Sequence, residues 1–306
     1  MKVGFIGLGT MGGAMALNLR KAKFDLVVHD LRADIAKPVL DAGATWADSV
    51  QALGKAVDVV LTSLPGPREA EAVGADLMAS MKRGGVWFDL TTNSPTVVRA
   101  LSARCAERGI TMLDAPVSGG PHGAKSGQMA LLVGGDEKTF NDQRKVLDAI
   151  GDQVIYIGPI GAGTVAKLVH NCAGYAIQTA LAEVFTVGVK AGVDPLALWA
   201  AVRQCSLGRQ RTFDRLGRQF LQGSFDPPDF ALKLALKDVT LATELGRELG
   251  VPMRVANLAH ADMTEALNRG WGSRDSRISM LLQEERAGVD IKVPAADIQA
   301  VLQKDG

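Results

Sequence analysis

Cysteine is scarce. The 306 residues hold three, Cys105, Cys172 and Cys205. An odd number at such wide spacing fits neither a disulfide framework nor a metal site. They read as reduced thiols, and a cytoplasmic protein is expected. Net charge is only +1 and lysine or arginine runs are lacking. Nucleic acid is therefore not expected as a partner, because phosphate binding needs a concentrated basic face. No uninterrupted apolar run reaches the about 18 residues of a membrane span, so no membrane partner is expected either. Tandem repeats and low-complexity tracts are missing. What remains is 47% hydrophobic and 22% charged, the composition of a globular chain of about two domains.

Glycine, by contrast, is plentiful at 34 residues, and the first of it frames a choice. MKVGFIGLGTMGGAMALNLR reads as a secretion signal if Lys2 is its basic start and Ala14-Met15-Ala16 its cleavage site. It reads as a phosphate-binding turn if Gly7-Leu8-Gly9-Thr10-Met11-Gly12 is a G-x-G-x-x-G run after a buried strand. The following sequence favours the second. Short apolar runs at 2–6, 26–29, 57–61, 86–89, 111–114, 130–133 and 154–157 alternate, in the early part, with helical patterns around 11–22, 33–42, 48–53, 68–80 and 95–107. Continuous Val/Ile/Leu strands separated by helices mean a parallel sheet with crossovers. This is an α/β, Rossmann-type doubly wound sheet. After Gly161-Ala162-Gly163 the texture changes. Residues 164–191 are apolar, helix-favouring and free of proline, and would form a helix of about 42 Å. Helical segments follow to the C-terminus. Two domains are expected: residues 1–162 bind a dinucleotide, and 163–306 form an all-α domain for substrate and oligomerisation, joined by the long interdomain helix.

Each part of the glycine run has a physical task. Gly7 permits the tight turn, Gly9 lets the backbone approach a pyrophosphate, and Gly12 lets the helix pack closely on the strand. The helix N-terminus offers its N–H groups and positive dipole end to the phosphates. Leu8, Thr10 and Met11 complete the cofactor-binding turn. Asp30 ends the second strand, where it would accept hydrogen bonds from both ribose hydroxyls and repel a 2′-phosphate. NAD is the expected cofactor. NADP stays possible because Arg32 follows so closely. No metal is expected.

With these residues in hand, the chain resembles the β-hydroxyacid dehydrogenase family, over nearly its whole length. The resemblance rests on ordered segments: residues 5–12 with Met15 and Asn18; Leu64-Pro65; Asp89-Leu90-Thr91-Thr92-Asn93-Ser94-Pro95; Asp114-Ala115-Pro116-Val117-Ser118-Gly119-Gly120; and Gly161-Ala162-Gly163-Thr164-Val165-Ala166-Lys167 with Asn171. Lys237-Asp238 adds a further match. Pro121-His122 departs mildly from the pattern. The resemblance implies that Leu64, Pro65, Thr92 and Lys237 contact the cofactor, that Ser118, Gly119 and Gly120 form the substrate loop, and that Lys167 is catalytic. It also implies a homodimer or homotetramer.

The residue types suit that chemistry. Hydride transfer belongs to the nicotinamide, while the protein positions the alcohol and moves a proton. A lysine does both proton steps if burial brings its pKa toward about 7–8, and Lys167 sits among Val165, Ala166, Leu168 and Val169. Asn171, four residues on, shares its helical face and could hold Lys167 or a substrate hydroxyl. Ser118-Gly119-Gly120 suits a carboxylate, since two glycines free successive N–H groups to converge on an anion. His170 reads as structural, and the arginines at 209, 211, 215 and 218 as a solvated face. The expected activity is oxidation of a small 3-hydroxyacid to its semialdehyde or keto acid, or the reverse. An NADP-dependent semialdehyde reductase and an imine reductase are the alternatives among enzymes. A non-catalytic nucleotide-binding module is the alternative from another class.

Overall fold

A computed structural model of the chain describes residues 1–205, 208–210, 216–248, 250 and 253–303, the side chains of 183–184, 186–187, 210 and 301 aside. The chain divides into two compact units, Met1–His170 and Asn171–Gly306. The sequence places the boundary at 162/163, where a long helix begins. The units divide inside that helix.

The first unit is a single sheet. Strands β1 (Lys2–Ile6), β2 (Asp25–His29), β3 (Thr45–Trp46), β4 (Val59–Thr62), β5 (Val86–Asp89) and β6 (Thr111–Asp114) lie parallel in the order 3-2-1-4-5-6. This is the doubly wound order, whose direction reverses between β1 and β4 and opens a crevice at their carboxyl ends. Beyond β6 the sheet continues as β8 (Ala130–Gly134), antiparallel to β6. The short β7 (Val117–Ser118) pairs antiparallel to β8, and β9 (Gln153–Gly158) runs parallel to β8.

Alternation along each strand builds two cores. Val3, Phe5, Leu26, Val28, Leu61 and Phe88 face one side, with Met15, Ala16 and Leu19 from helix α1 (Gly12–Lys21). Ile6, Val27, Val60 and Trp87 face the other, with Leu53, Leu77 and Leu101 from helices Val50–Ala56, Pro67–Ser80 and Pro95–Glu107. Both faces of the sheet are covered, which is why its strands read as continuous apolar runs. The 3-10 helix Ala33–Ala36 and the short helices Lys37–Asp41, Gly120–Ser126, Glu137–Asp142 and Arg144–Asp148 also belong to the unit.

The helix Ala162–Lys190 has 29 residues and spans roughly 44 Å at 1.5 Å per residue. The second unit is helical. Asp194 caps Pro195–Gln204 by accepting the Ala197 N–H at 2.8 Å. Leu181, Phe185, Trp199, Phe220, Ile291 and Ile298 form one of its cores. Phe225, Leu232, Val239, Met263 and Ile278 form another, around Leu232–Glu248 and Arg254–Ala266. Among the described residues, no helix is long and apolar enough to cross a membrane.

Candidate active site

The crevice between β1 and β4 carries the glycine turn. Gly7 adopts φ +92°, and a Cβ there would stand 2.2 Å from the Ser63 carbonyl oxygen. A Cβ on Gly12 would stand 1.8 Å from the Gly7 carbonyl oxygen, whereas one on Gly9 would meet no atom within 4 Å. Gly7 and Gly12 are thus closed to larger residues by packing, and Gly9 faces open space where a pyrophosphate can approach. No side chain caps the N-terminus of α1 and no acidic residue occupies its first turn, which leaves its positive end available to an anion.

Asp30 is tied into the turn. Its Oδ2 accepts the Leu8 N–H at 2.7 Å and its Oδ1 the Arg32 N–H at 2.9 Å. Each oxygen retains acceptor capacity for a ribose hydroxyl. Arg32 is exposed. The turn, the free helix end and the anchored carboxylate fit a dinucleotide. Asn18 of α1 donates to the Ala124 carbonyl at 2.8 Å, joining the cofactor helix to the helix that follows Gly119.

Asp89, at the end of β5, is fully buried. It accepts from Thr62 Oγ1 at 3.0 Å, the Thr91 N–H at 3.1 Å and Asn93 Nδ2 at 2.9 Å. Burial pushes its carboxyl above the usual range, and those hydrogen bonds pull it back. Thr91 Oγ1 in turn accepts the Leu64 N–H at 3.1 Å. One buried carboxylate therefore organises the loop that bears Thr92, and through Thr91 steadies Leu64-Pro65. Thr92 and Leu64 are half-buried and Pro65 is exposed.

The loop expected from sequence to hold the substrate leaves β7. Gly119 and Gly120 have φ of +142° and +61°, conformations that L side chains resist. A Cβ on Gly120 would meet nothing within 4 Å, so the loop backbone is open to a ligand. Lys167, in the second turn of Ala162–Lys190, is only 8% exposed. His170, read from sequence as structural, is exposed, and its Nε2 lies 3.1 Å from Ser118 Oγ. Nothing in the sequence pairs positions 118 and 170. His122 is exposed on helix Gly120–Ser126.

In the second unit, Asn171 Nδ2 donates to Asp238 Oδ2 at 2.6 Å. Lys237 Nζ stands 3.0 Å from Asp238 Oδ1, an ion pair off hydrogen-bond alignment. Donation by the amide nitrogen leaves the Asn171 side-chain carbonyl oxygen as an acceptor. Arg209 bonds the Gln204 carbonyl at 2.8 Å and Arg218 lies 3.4 Å from Asp229. Arg211, Phe213 and Arg215 fall outside the described residues. Trp199, Phe220 and Phe225 are core residues, and Phe230 is 36% exposed.

The fold and these loops define a nicotinamide-dinucleotide oxidoreductase. Residues 2–158 match the NAD binding domain of 6-phosphogluconate dehydrogenase, and residues 161–293 match the NAD-binding domain of NADP-dependent 3-hydroxyisobutyrate dehydrogenase. The chain is 32% identical to 2-(hydroxymethyl)glutarate dehydrogenase of Eubacterium barkeri, over 95% of this chain and 97% of that one. It is 31% identical to the mitochondrial 3-hydroxyisobutyrate dehydrogenase of Mus musculus, over 92% of this chain and 87% of that one. The solved structure of Mycobacterium tuberculosis 3-hydroxyisobutyrate dehydrogenase with L-serine superposes with a TM-score of 0.83 at 26% identity, covering 92% of this chain and 98% of the other. The chain belongs to the β-hydroxyacid dehydrogenase family and is an NAD(P)-dependent hydroxyacid dehydrogenase.

Proposed function

We propose that the protein interconverts a small 3-hydroxyacid and its semialdehyde or keto acid, with NAD as the favoured cofactor and Lys167 as general acid and base. The observation that carries this is the burial of Lys167, 8% exposed on a helix that also presents His170 to Ser118. Burial disfavours the ammonium form, the condition a lysine needs to take and return a proton near neutral pH. The bound cofactor supplies the hydride acceptor or donor at its nicotinamide ring. In the oxidative direction Lys167 takes the hydroxyl proton, and in reduction it returns one to the carbonyl oxygen. Ser118 and the N–H groups of Gly119 and Gly120 hold the substrate carboxylate. Asn171 supplies a hydrogen bond to the substrate. Leu8, Thr10, Met11, Leu64, Pro65, Thr92 and Lys237 contact the cofactor, and Asp30 holds its ribose and selects NAD.

Exposed Val169 and Ile177 on the long helix, with Val255 and Leu258, support a homodimer or homotetramer. Sedimentation that shows a monomer at every concentration would refute this. The free thiols, Cys105 and Cys172 buried, support a reducing, cytoplasmic setting.

The deciding experiment is Lys167→Ala, assayed by nicotinamide absorbance on a panel of 3-hydroxyacids and semialdehydes. Turnover should fall by about 10²–10⁴-fold while cofactor still binds. Full turnover would remove Lys167 from the chemistry.

A further inference from the structure

Asp114 ends β6 and is 0% exposed. Its partners lie far along the chain. Oδ1 accepts the Gly161 N–H at 2.7 Å and Oδ2 the Thr164 N–H at 2.6 Å. These amides frame the start of the helix that bears Lys167. The packing around them admits little adjustment. A Cβ on Gly163 would stand 2.0 Å from the Leu132 carbonyl oxygen, and one on Gly134 would stand 2.6 Å from Asp114 Oδ1. The helix start is therefore seated on the sheet with its backbone against β8 and its first N–H groups on a buried carboxylate.

Two consequences follow for Lys167. The first is positional. Asp114 and Ser118 belong to one stretch of chain four residues apart, and Thr164 and His170 to one helix six residues apart. Asp114 grips Thr164, and Ser118 meets His170 at 3.1 Å. The segment leading to the substrate loop is thus held to the helix at two points, with Lys167 between them. The second is electrostatic. Long helical side chains lean toward the N-terminus, over the residues three and four positions earlier. For Lys167 these are Thr164 and Gly163. A helix N-terminus carries roughly half a positive charge, which opposes a nearby ammonium. The buried carboxylate of Asp114 offsets that field where the lysine stem begins.

We propose that Asp114 is a positioning residue for Lys167: its carboxylate seats the N-terminal turn of the lysine's helix against the substrate-loop segment and keeps the helix end from suppressing the protonated lysine. The proposal rests on the assignment of Lys167 as the acid and base. It assigns Asp114 no contact with substrate or cofactor.

The test is Asp114→Asn in the full-length enzyme, run beside Lys167→Ala. An amide nitrogen cannot accept from a backbone N–H, so one of the two anchors is lost along with the charge. Cofactor affinity, read by quenching of protein fluorescence, should stay within about two-fold, since Asp114 bonds no residue of the glycine turn. The kcat should fall by about ten- to a hundred-fold, as small misplacements of a catalytic group do. The limb of the kcat/KM–pH profile that vanishes in Lys167→Ala should move to lower pH by about half to one unit. A limb left in place, with kcat falling only as far as the unfolded fraction accounts for, would make Asp114 merely structural and overturn the proposal. If Asp114→Asn does not fold, Asp114→Glu keeps the charge and displaces it. Its limb should then stay at the wild-type pH while kcat falls, and wild-type kcat in that variant would refute the positional claim. Full turnover by Lys167→Ala would instead sink the underlying assignment and leave Asp114 nothing to position.

Discussion

Ser118 Oγ and His170 Nε2 stand 3.1 Å apart, joining the proposed carboxylate loop to the helix of the proposed acid and base. The direction of that hydrogen bond decides what Ser118 offers a ligand. If Nε2 accepts, the hydroxyl proton points at the histidine and only lone pairs face the substrate. If Nε2 carries a proton, Ser118 accepts from it and its own proton is free for a carboxylate. Either arrangement keeps the Ser118 hydroxyl within reach of a ligand at the loop. Ser118→Ala should raise the KM for the hydroxyacid by about ten- to a hundred-fold, the worth of a hydrogen bond to a charged group. Steady-state kinetics of the two proteins check this, and an unchanged KM would remove Ser118 from carboxylate binding.

Cofactor choice is a second expectation. Asp30 accepts from the Leu8 and Arg32 N–H groups at 2.7 and 2.9 Å, so its carboxylate is fixed against the glycine turn, where the proposed function has it hold the ribose. Asp30→Ser removes the charge that repels a 2′-phosphate and leaves the arginine. The ratio of kcat/KM for NAD to that for NADP should fall by at least about ten-fold, roughly 1.4 kcal/mol of lost discrimination. NAD itself should bind more weakly, because the Leu8 N–H loses its acceptor. Parallel titrations with both cofactors decide the matter. An unchanged ratio would move selection away from Asp30.

The parallel strands were legible in sequence because burial on both faces makes them continuous apolar runs. The glycine turn was legible because each glycine answers a separate steric demand. Thr45–Trp46 and Val117–Ser118 were not, since two residues carry no periodicity and pair only because neighbouring strands are already in place. The helix Gly120–Ser126 was hidden by Gly120, Pro121 and Gly123, which read as a loop until the packing of Ala124 is seen. Of the proposed site, Lys167 and the proposed substrate loop were visible as motifs. Their supports were not. Asp114 meets its partners 47 and 50 positions away, and Ser118 meets His170 52 positions away. One-dimensional pattern carries no information on such pairs when one partner is a backbone amide or an ordinary polar side chain.

Stability should depend on pH through Glu284, in the second unit. It is 7% exposed, Oε2 accepts the Ile291 N–H at 3.3 Å, and Oε1 has no hydrogen-bond partner among the described residues. Burial pushes its carboxyl up to about 7 from the ordinary 4.5. The Ile291 N–H and Lys292 oppose that rise, while Asp290 and Glu285 add to it. A carboxyl whose folded pKa lies above its unfolded one holds its proton more tightly in the fold. Its contribution is complete below about pH 4.5 and is lost as pH rises to about 7. The loss is on the order of 3 kcal/mol at full burial. Glu284→Gln keeps the acceptor for Ile291 and removes the ionisation. Its unfolding midpoint should match wild type near pH 4 and exceed it by several degrees at pH 8, given about 2–4 °C per kcal/mol for units of this size. Thermal melts across that range measure the divergence. Parallel curves for the two proteins would show that Glu284 ionises without cost and that its buried oxygen is satisfied by water.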